Sequence, residues 1–191
     1  MIFSVVELKD LAKAWLLSSL AYALALVGFS ANLMVALPLA LVTAGAGIIL
    51  HELAHKFTAR HYGYHAEFRS FDTMLFLSVI ISAFGVVFLA PGAVYFFSHQ
   101  ADYRKTGVIS LAGPLTNIII AILSVPLAVS GLPVVAQVGM VCFQLNAWLA
   151  LFNLIPFAGF DGQKVLAWNR YAWAGAGLCA LALVFAANFF F

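Results

Sequence analysis

Two histidines stand four residues apart in the run GIILHELAHKF, residues 47–57, and a glutamate directly follows the first of them. On a helix, positions i and i+4 share a face and lie about 6 Å apart along the axis. His51 and His55 can therefore reach one metal ion from consecutive turns. Glu52, one residue on, is placed to take a proton from a water activated beside that ion. Ionisable groups inside an apolar run are costly in a bilayer and mark function more often than packing. The pattern predicts a hydrolytic zinc centre.

A zinc centre of that kind keeps three protein ligands and one open position. The chain has seven carboxylates. Glu7, Asp10, Glu67, Asp72 and Asp102 fall in charged or polar stretches read as connections, and Glu52 is the base. Asp161 remains, in NLIPFAGFDG, residues 153–162, at the end of a long run without charge. An aspartate before a glycine is ordinarily a turn or cap residue. Its place at a helix end, beside Pro156 and Gly159, favours the third ligand instead. Asn153, eight residues earlier, offers an amide able to hold a substrate backbone or an oxyanion. The alternative for Asn153 is a polar contact between helices. His61 and His65 repeat the four-residue spacing across Gly63, where a helix is ending, and are read as interfacial. His99, beside Gln100, is read as a loop residue.

These motifs resemble the site-2 protease family of intramembrane zinc metalloproteases. HELAHKFTARHYG fits the family's HExxH segment with small residues after it, and NLIPFAGFDG fits its NxxPxxxxDG pattern. LAGPLTN, residues 111–117, fits the Gly-Pro-x-x-Asn segment that opens the helix between them. The resemblance implies His51, His55 and Asp161 as ligands of one zinc, Glu52 as catalytic base and a peptide bond as substrate. It implies that Asn153 helps to hold the substrate, a locally unwound transmembrane segment. Many relatives carry a PDZ or CBS domain, and none is expected here. The chain reads as a single transmembrane metalloprotease domain, 1–191, with a catalytic core of about 34–165. The alternative is a catalytically inactive relative that binds zinc and a membrane partner. The intact Glu52 argues against it. A metal transporter would need polar residues through the whole bundle, whereas here they gather toward one end.

The elements that must position these groups follow from composition. The sequence is 65% hydrophobic and 8% charged, against about 25% charged in soluble domains. This excludes a soluble enzyme, and nothing suggests nucleic acid as a partner. The apolar Cys142 and Cys179 read as buried thiols, and the N-terminus shows no removable signal. Stretches free of Asp, Glu, Lys and Arg, broken at Ser30–Asn32 and at SGLP, residues 130–133, predict helices near 13–30, 34–61, 106–129, 133–157 and 167–190. The fold class is therefore an all-α polytopic membrane protein with five spanning helices. A re-entrant segment with a short strand near 93–97 is expected between the HExxH helix and the Gly-Pro-x-x-Asn helix.

That re-entrant reading has a topological reason. The histidines lie toward the C-terminal end of their helix and Asp161 follows the C-terminal end of its own, so the two helices must run in one direction. This requires 73–101 to enter and leave on one side. Lys9, Lys13, Lys56, Arg60, Arg69, Arg104, Lys105, Lys164 and Arg170 then all fall on that side, which predicts it to be cytoplasmic. The expected location is the cell membrane, with the N-terminus and the active-site end cytoplasmic and Phe191 outside. Backbone at membrane depth in 73–101 would have to be covered by protein or line a wet cavity. The partners are the lipid bilayer and a transmembrane protein substrate.

Overall fold

Eight α-helices and two short strands follow one another in a computed structural model whose described residues are 2–97, 102–157 and 159–190. His99 and Phe191 lie outside them. Five helical stretches are long and apolar enough to cross a membrane: Val5–Val27, Leu33–His61, Tyr103–Ala128, Pro133–Asn153 and Arg170–Ala187. The protein is an all-α polytopic membrane protein. The described residues form two compact units, Met1–Glu52 with Glu67–Tyr95, and Leu53–Ala66 with Phe96–Phe191.

The first unit opens with α1, Val5–Val27. Ser4 caps it by accepting a hydrogen bond from the Glu7 amide at 3.2 Å, which draws the helix start earlier than the apolar run suggests. The second span is α2, Leu33–Ala40, a π-helical turn at Leu41–Gly45, and α3, Ala46–His61. Pro38 lies inside α2. The indole N–H of Trp15 on α1 donates to the Leu41 carbonyl at 2.9 Å, satisfying the backbone where the helix changes pitch. A Cβ on Gly45 would overlap Trp15 and Ser19, so that glycine is a packing contact with α1.

The stretch read as re-entrant contains one helix, α4, Asp72–Ser82, whose eleven residues span only about 16 Å. That is half the thickness of a hydrocarbon core. The excursion leaves and returns at one point, because the Phe71 amide donates to the Pro91 carbonyl at 3.1 Å. Strand β2, Gly92–Phe97, matches the expected strand, and it pairs with a second strand, β1, His65–Ser70, which the sequence reading took for a connection. Glu7 is not in a connection either. It is fully buried in the first turn of α1 and accepts the Phe68 amide of β1 at 2.9 Å. Asp10 on the same helix accepts from the Ser70 hydroxyl at 3.2 Å. The amphipathic start of α1 thus holds the outer side of β1.

The second unit is built on α5, Tyr103–Ala128, and α6, Pro133–Asn153. Asp102 caps α5 through the Lys105 amide at 3.0 Å. The buried face of α5 is small and polar, with Gly107, Ser110, Gly113, Pro114 and Asn117, which lets neighbouring backbones approach. Asn117 donates to Asn146 of α6 at 2.7 Å, and Asn146 back-bonds to the Cys142 carbonyl at 2.8 Å. Helix α6 ends at Asn153. The expected last helix, 167–190, is α8, Arg170–Phe190, and a short helix that the sequence reading did not foresee, α7, Asp161–Trp168, precedes it across extended backbone at Asn169. Ala176 and Ala180 of α8 pack with Ile118, Ala150 and Leu154 in one apolar cluster.

Candidate metal centre

His51 and His55 sit one turn apart on α3, as their spacing requires, and the continuity of that helix fixes their relation. Both are buried, at 6% and 8% exposure, in a surface dominated by apolar side chains. The imidazole Nδ1 of His55 lies 2.7 Å from the backbone carbonyl of Ile109 on α5. A carbonyl only accepts, so Nδ1 carries the proton and donates. The other ring nitrogen, Nε2, is then the one presented to Asp161, whose Oδ2 is 3.1 Å away.

Asp161 is held from the opposite side by the chain that follows α6. Leu154 closes that helix, and the Trp173 indole of α8 donates to its carbonyl at 2.7 Å. The turn then passes through Pro156 and through Gly159, whose φ of +98° is the left-handed region that disfavours a side chain. Helix α7 begins at Asp161 itself. A Cβ on Gly162 would collide with the Leu154 carbonyl, so the Asp-Gly pair has a steric reason as well as a chemical one.

The outcome is that His51, His55 and Asp161 each bring a ligand atom within 4.8 Å of one another, all three residues buried. Two imidazoles and one carboxylate are the donor set of a hydrolytic zinc site, and their closeness lets a single small cation be reached by all three. The residues present therefore fit the metal that the motif implies. Glu52 is buried on the turn of α3 that carries His51. Asn153 is the last residue of α6, and one N–H of its amide donates to the Leu149 carbonyl at 2.9 Å, leaving the second N–H and the oxygen of that group for other work. Glu67 is paired with Arg69 on β1, and Asp102 is a helix cap. Neither joins the cluster. His61 ends α3 with its ring edge-on to Tyr62, and His65 starts β1.

The sequence reading missed the Ile109 carbonyl, because a backbone oxygen carries no residue-type signal. The Asn117–Asn146 pair was legible only as polar residues in an apolar helix.

A protein of Methanocaldococcus jannaschii named "Putative zinc metalloprotease MJ0611" is 41% identical over 143 residues, covering 73% of this chain and 75% of its own. "Putative zinc metalloprotease Rip2" of Mycolicibacterium smegmatis is 34% identical over 151 residues, 66% of this chain and 56% of that one. "Putative zinc metalloprotease YwhC" of Bacillus subtilis is 27% identical over 152 residues, 68% of each. The chain thus spans about half the length of the Rip2 protein that it matches. No family model and no solved structure matches the chain. On its motifs, its clustered donors and these relatives, the chain belongs to the site-2 protease family of zinc metalloproteases.

Proposed function

We propose that the chain hydrolyses peptide bonds within or next to transmembrane segments of membrane proteins, using one zinc per chain. The observation that carries this reading is the buried cluster of His51, His55 and Asp161 on helices of a polytopic bundle, with Glu52 on the same turn as His51. When bound, zinc supplies Lewis acidity toward the scissile carbonyl and toward the attacking water. Glu52 accepts the proton of that water as its oxygen bonds to the carbonyl carbon. It then returns the proton to the amine that leaves as the C–N bond breaks. Asn153 holds the substrate backbone through its remaining amide capacity.

A helical substrate hides its carbonyls in its own hydrogen bonds, so it must unwind before it can react. The two-stranded sheet supports a way of holding it. The Phe68 amide, bonded to Glu7, points away from β2, so α1 covers the outer side of β1. The outer edge of β2 is the one that an extended segment would extend by strand addition. The closed base of the 72–90 excursion, Phe71 to Pro91, supports entry and exit on one side, and with it a cytoplasmic active-site end.

The deciding experiment incubates the purified protein with zinc and a panel of transmembrane peptides, with Glu52→Gln beside it. Cleavage by the wild type and none by the variant is expected. Zinc binding without cleavage of any peptide by either protein would favour the inactive relative.

A further inference from the structure

The middle of α5 carries the Gly-Pro pair of LAGPLTN, and the chemistry above gives that pair no task. Its surroundings do. The Ile109 carbonyl takes the Nδ1 proton of His55 at 2.7 Å. A carbonyl in mid-helix is normally engaged by the amide four residues on and shielded by the side chain there, since a helical side chain covers the turn before its own Cα. The residue four on from Ile109 is Gly113, which has no side chain. The next, Pro114, stands inside the helix without an N–H, so the turn at Ile109 and Ser110 carries one donor fewer. A lone pair of Ile109 is thereby left accessible to a ring arriving from α3.

The same segment also seats the aspartate ligand. A Cβ on Gly107 would overlap the Cβ and ring of Trp168, so α7 rests on α5 where α5 has no side chain. Asp161 is the first residue of that short, stiff helix.

We infer that residues 107–114 are the positioning element of the metal centre. The Gly113-Pro114 pair leaves the Ile109 carbonyl uncovered, which fixes the tautomer and ring plane of His55, and Gly107 sets the seat of α7 and so the place of Asp161. None of these residues touches substrate, and the inference rests on the metal-binding reading above.

The test uses the full chain purified in detergent. Zinc affinity is read by competition with a chromophoric chelator, and ligand geometry by the d–d absorption of the cobalt-loaded protein. Pro114→Ala and Gly107→Ala should each weaken zinc about tenfold or more and alter the cobalt bands, with the helical circular dichroism of the metal-free protein retained. Gly175→Ala, on α8 with nothing within 4 Å of the new methyl, should change neither. If either variant fails to fold, an α-hydroxy acid at position 110 carries the test, because it makes the Ile109 carbonyl a weaker ester acceptor without adding bulk. The same loss is expected. Wild-type affinity and wild-type cobalt bands in Pro114→Ala or in the ester would overturn the inference while leaving the metal site standing. A wild type that binds no zinc, or His55→Ala binding as tightly as the wild type, would overturn the metal-binding reading and the inference with it.

Discussion

The roles given to single side chains separate cleanly by measurement. In the proposed mechanism Glu52 serves as base and not as ligand, so Glu52→Gln should keep its zinc by elemental analysis while losing on the order of 10²-fold or more in cleavage rate. Replacing His51, His55 or Asp161 with alanine should lower zinc occupancy and activity together. Glu67→Ala and Asp102→Ala should leave occupancy unchanged, because those carboxylates are engaged elsewhere. If Glu67 or Asp102 proved necessary for metal, the ligand set would be wrong. Asn153→Ala should slow turnover of a helical substrate and leave zinc in place. An unchanged rate would return Asn153 to its helix-capping bond with Leu149.

At the scale of elements, close helix packing and one polar clasp invite direct tests. A Cβ on Gly139 of α6 would strike the backbone of Leu127 and Ala128 at the end of α5. Overpacking of that kind costs about 1–3 kcal/mol, against the roughly 1 kcal/mol that alanine gains over glycine in a helix. Gly139→Ala should therefore lower the unfolding midpoint in detergent, while Gly177→Ala, with open space around it, should not. The clasp lies at the base of the excursion, where the Lys13 ammonium donates to both oxygens of Asp72 at 2.7 and 2.8 Å. Those bonds, and one from Ser70, hold the Asp72 carboxyl below its ordinary range. A lowered folded value means that the clasp contributes fully above the unfolded carboxylate pKa and is lost as pH falls through the folded one. Protection of the α4 amides, measured against their intrinsic exchange rates, should accordingly fall as pH drops below the ordinary carboxylate value, and Asp72→Asn should show low protection already at neutral pH. Wild-type protection in that variant would mean that packing on α1 holds α4 without the clasp.

At the scale of the whole molecule, the proposed orientation puts the active-site end of the bundle in the cytoplasm. Cysteines at 103 and 132, in a background without Cys142 and Cys179, probe opposite ends of α5, and both positions are exposed. On intact cells an impermeant thiol reagent should label position 132 and spare 103. The reverse would place the active-site end outside. A proline at Val94 or Tyr95, whichever amide faces the outer edge of β2, should impair cleavage more than zinc binding. Equal loss of both would remove strand addition from the mechanism.

How much of this the sequence determined by itself follows from which forces are local. HELAH placed two potential metal-binding imidazoles on one helix face because helix periodicity alone sets their spacing. Long uncharged runs determined the spans because a bilayer penalises every charge in them, and Asp161 stood out for the same reason. The tertiary structure decided the rest. Whether Asp161 comes to His55 depends on the turn after α6 and on the seat of α7, neither of which has a period to read. Strand β1 was hidden because His65–Ser70 is polar and short, and it forms only with β2 as its partner and Glu7 at its back. The Ile109 carbonyl is shared by every residue type, so only packing could select it as the partner of His55.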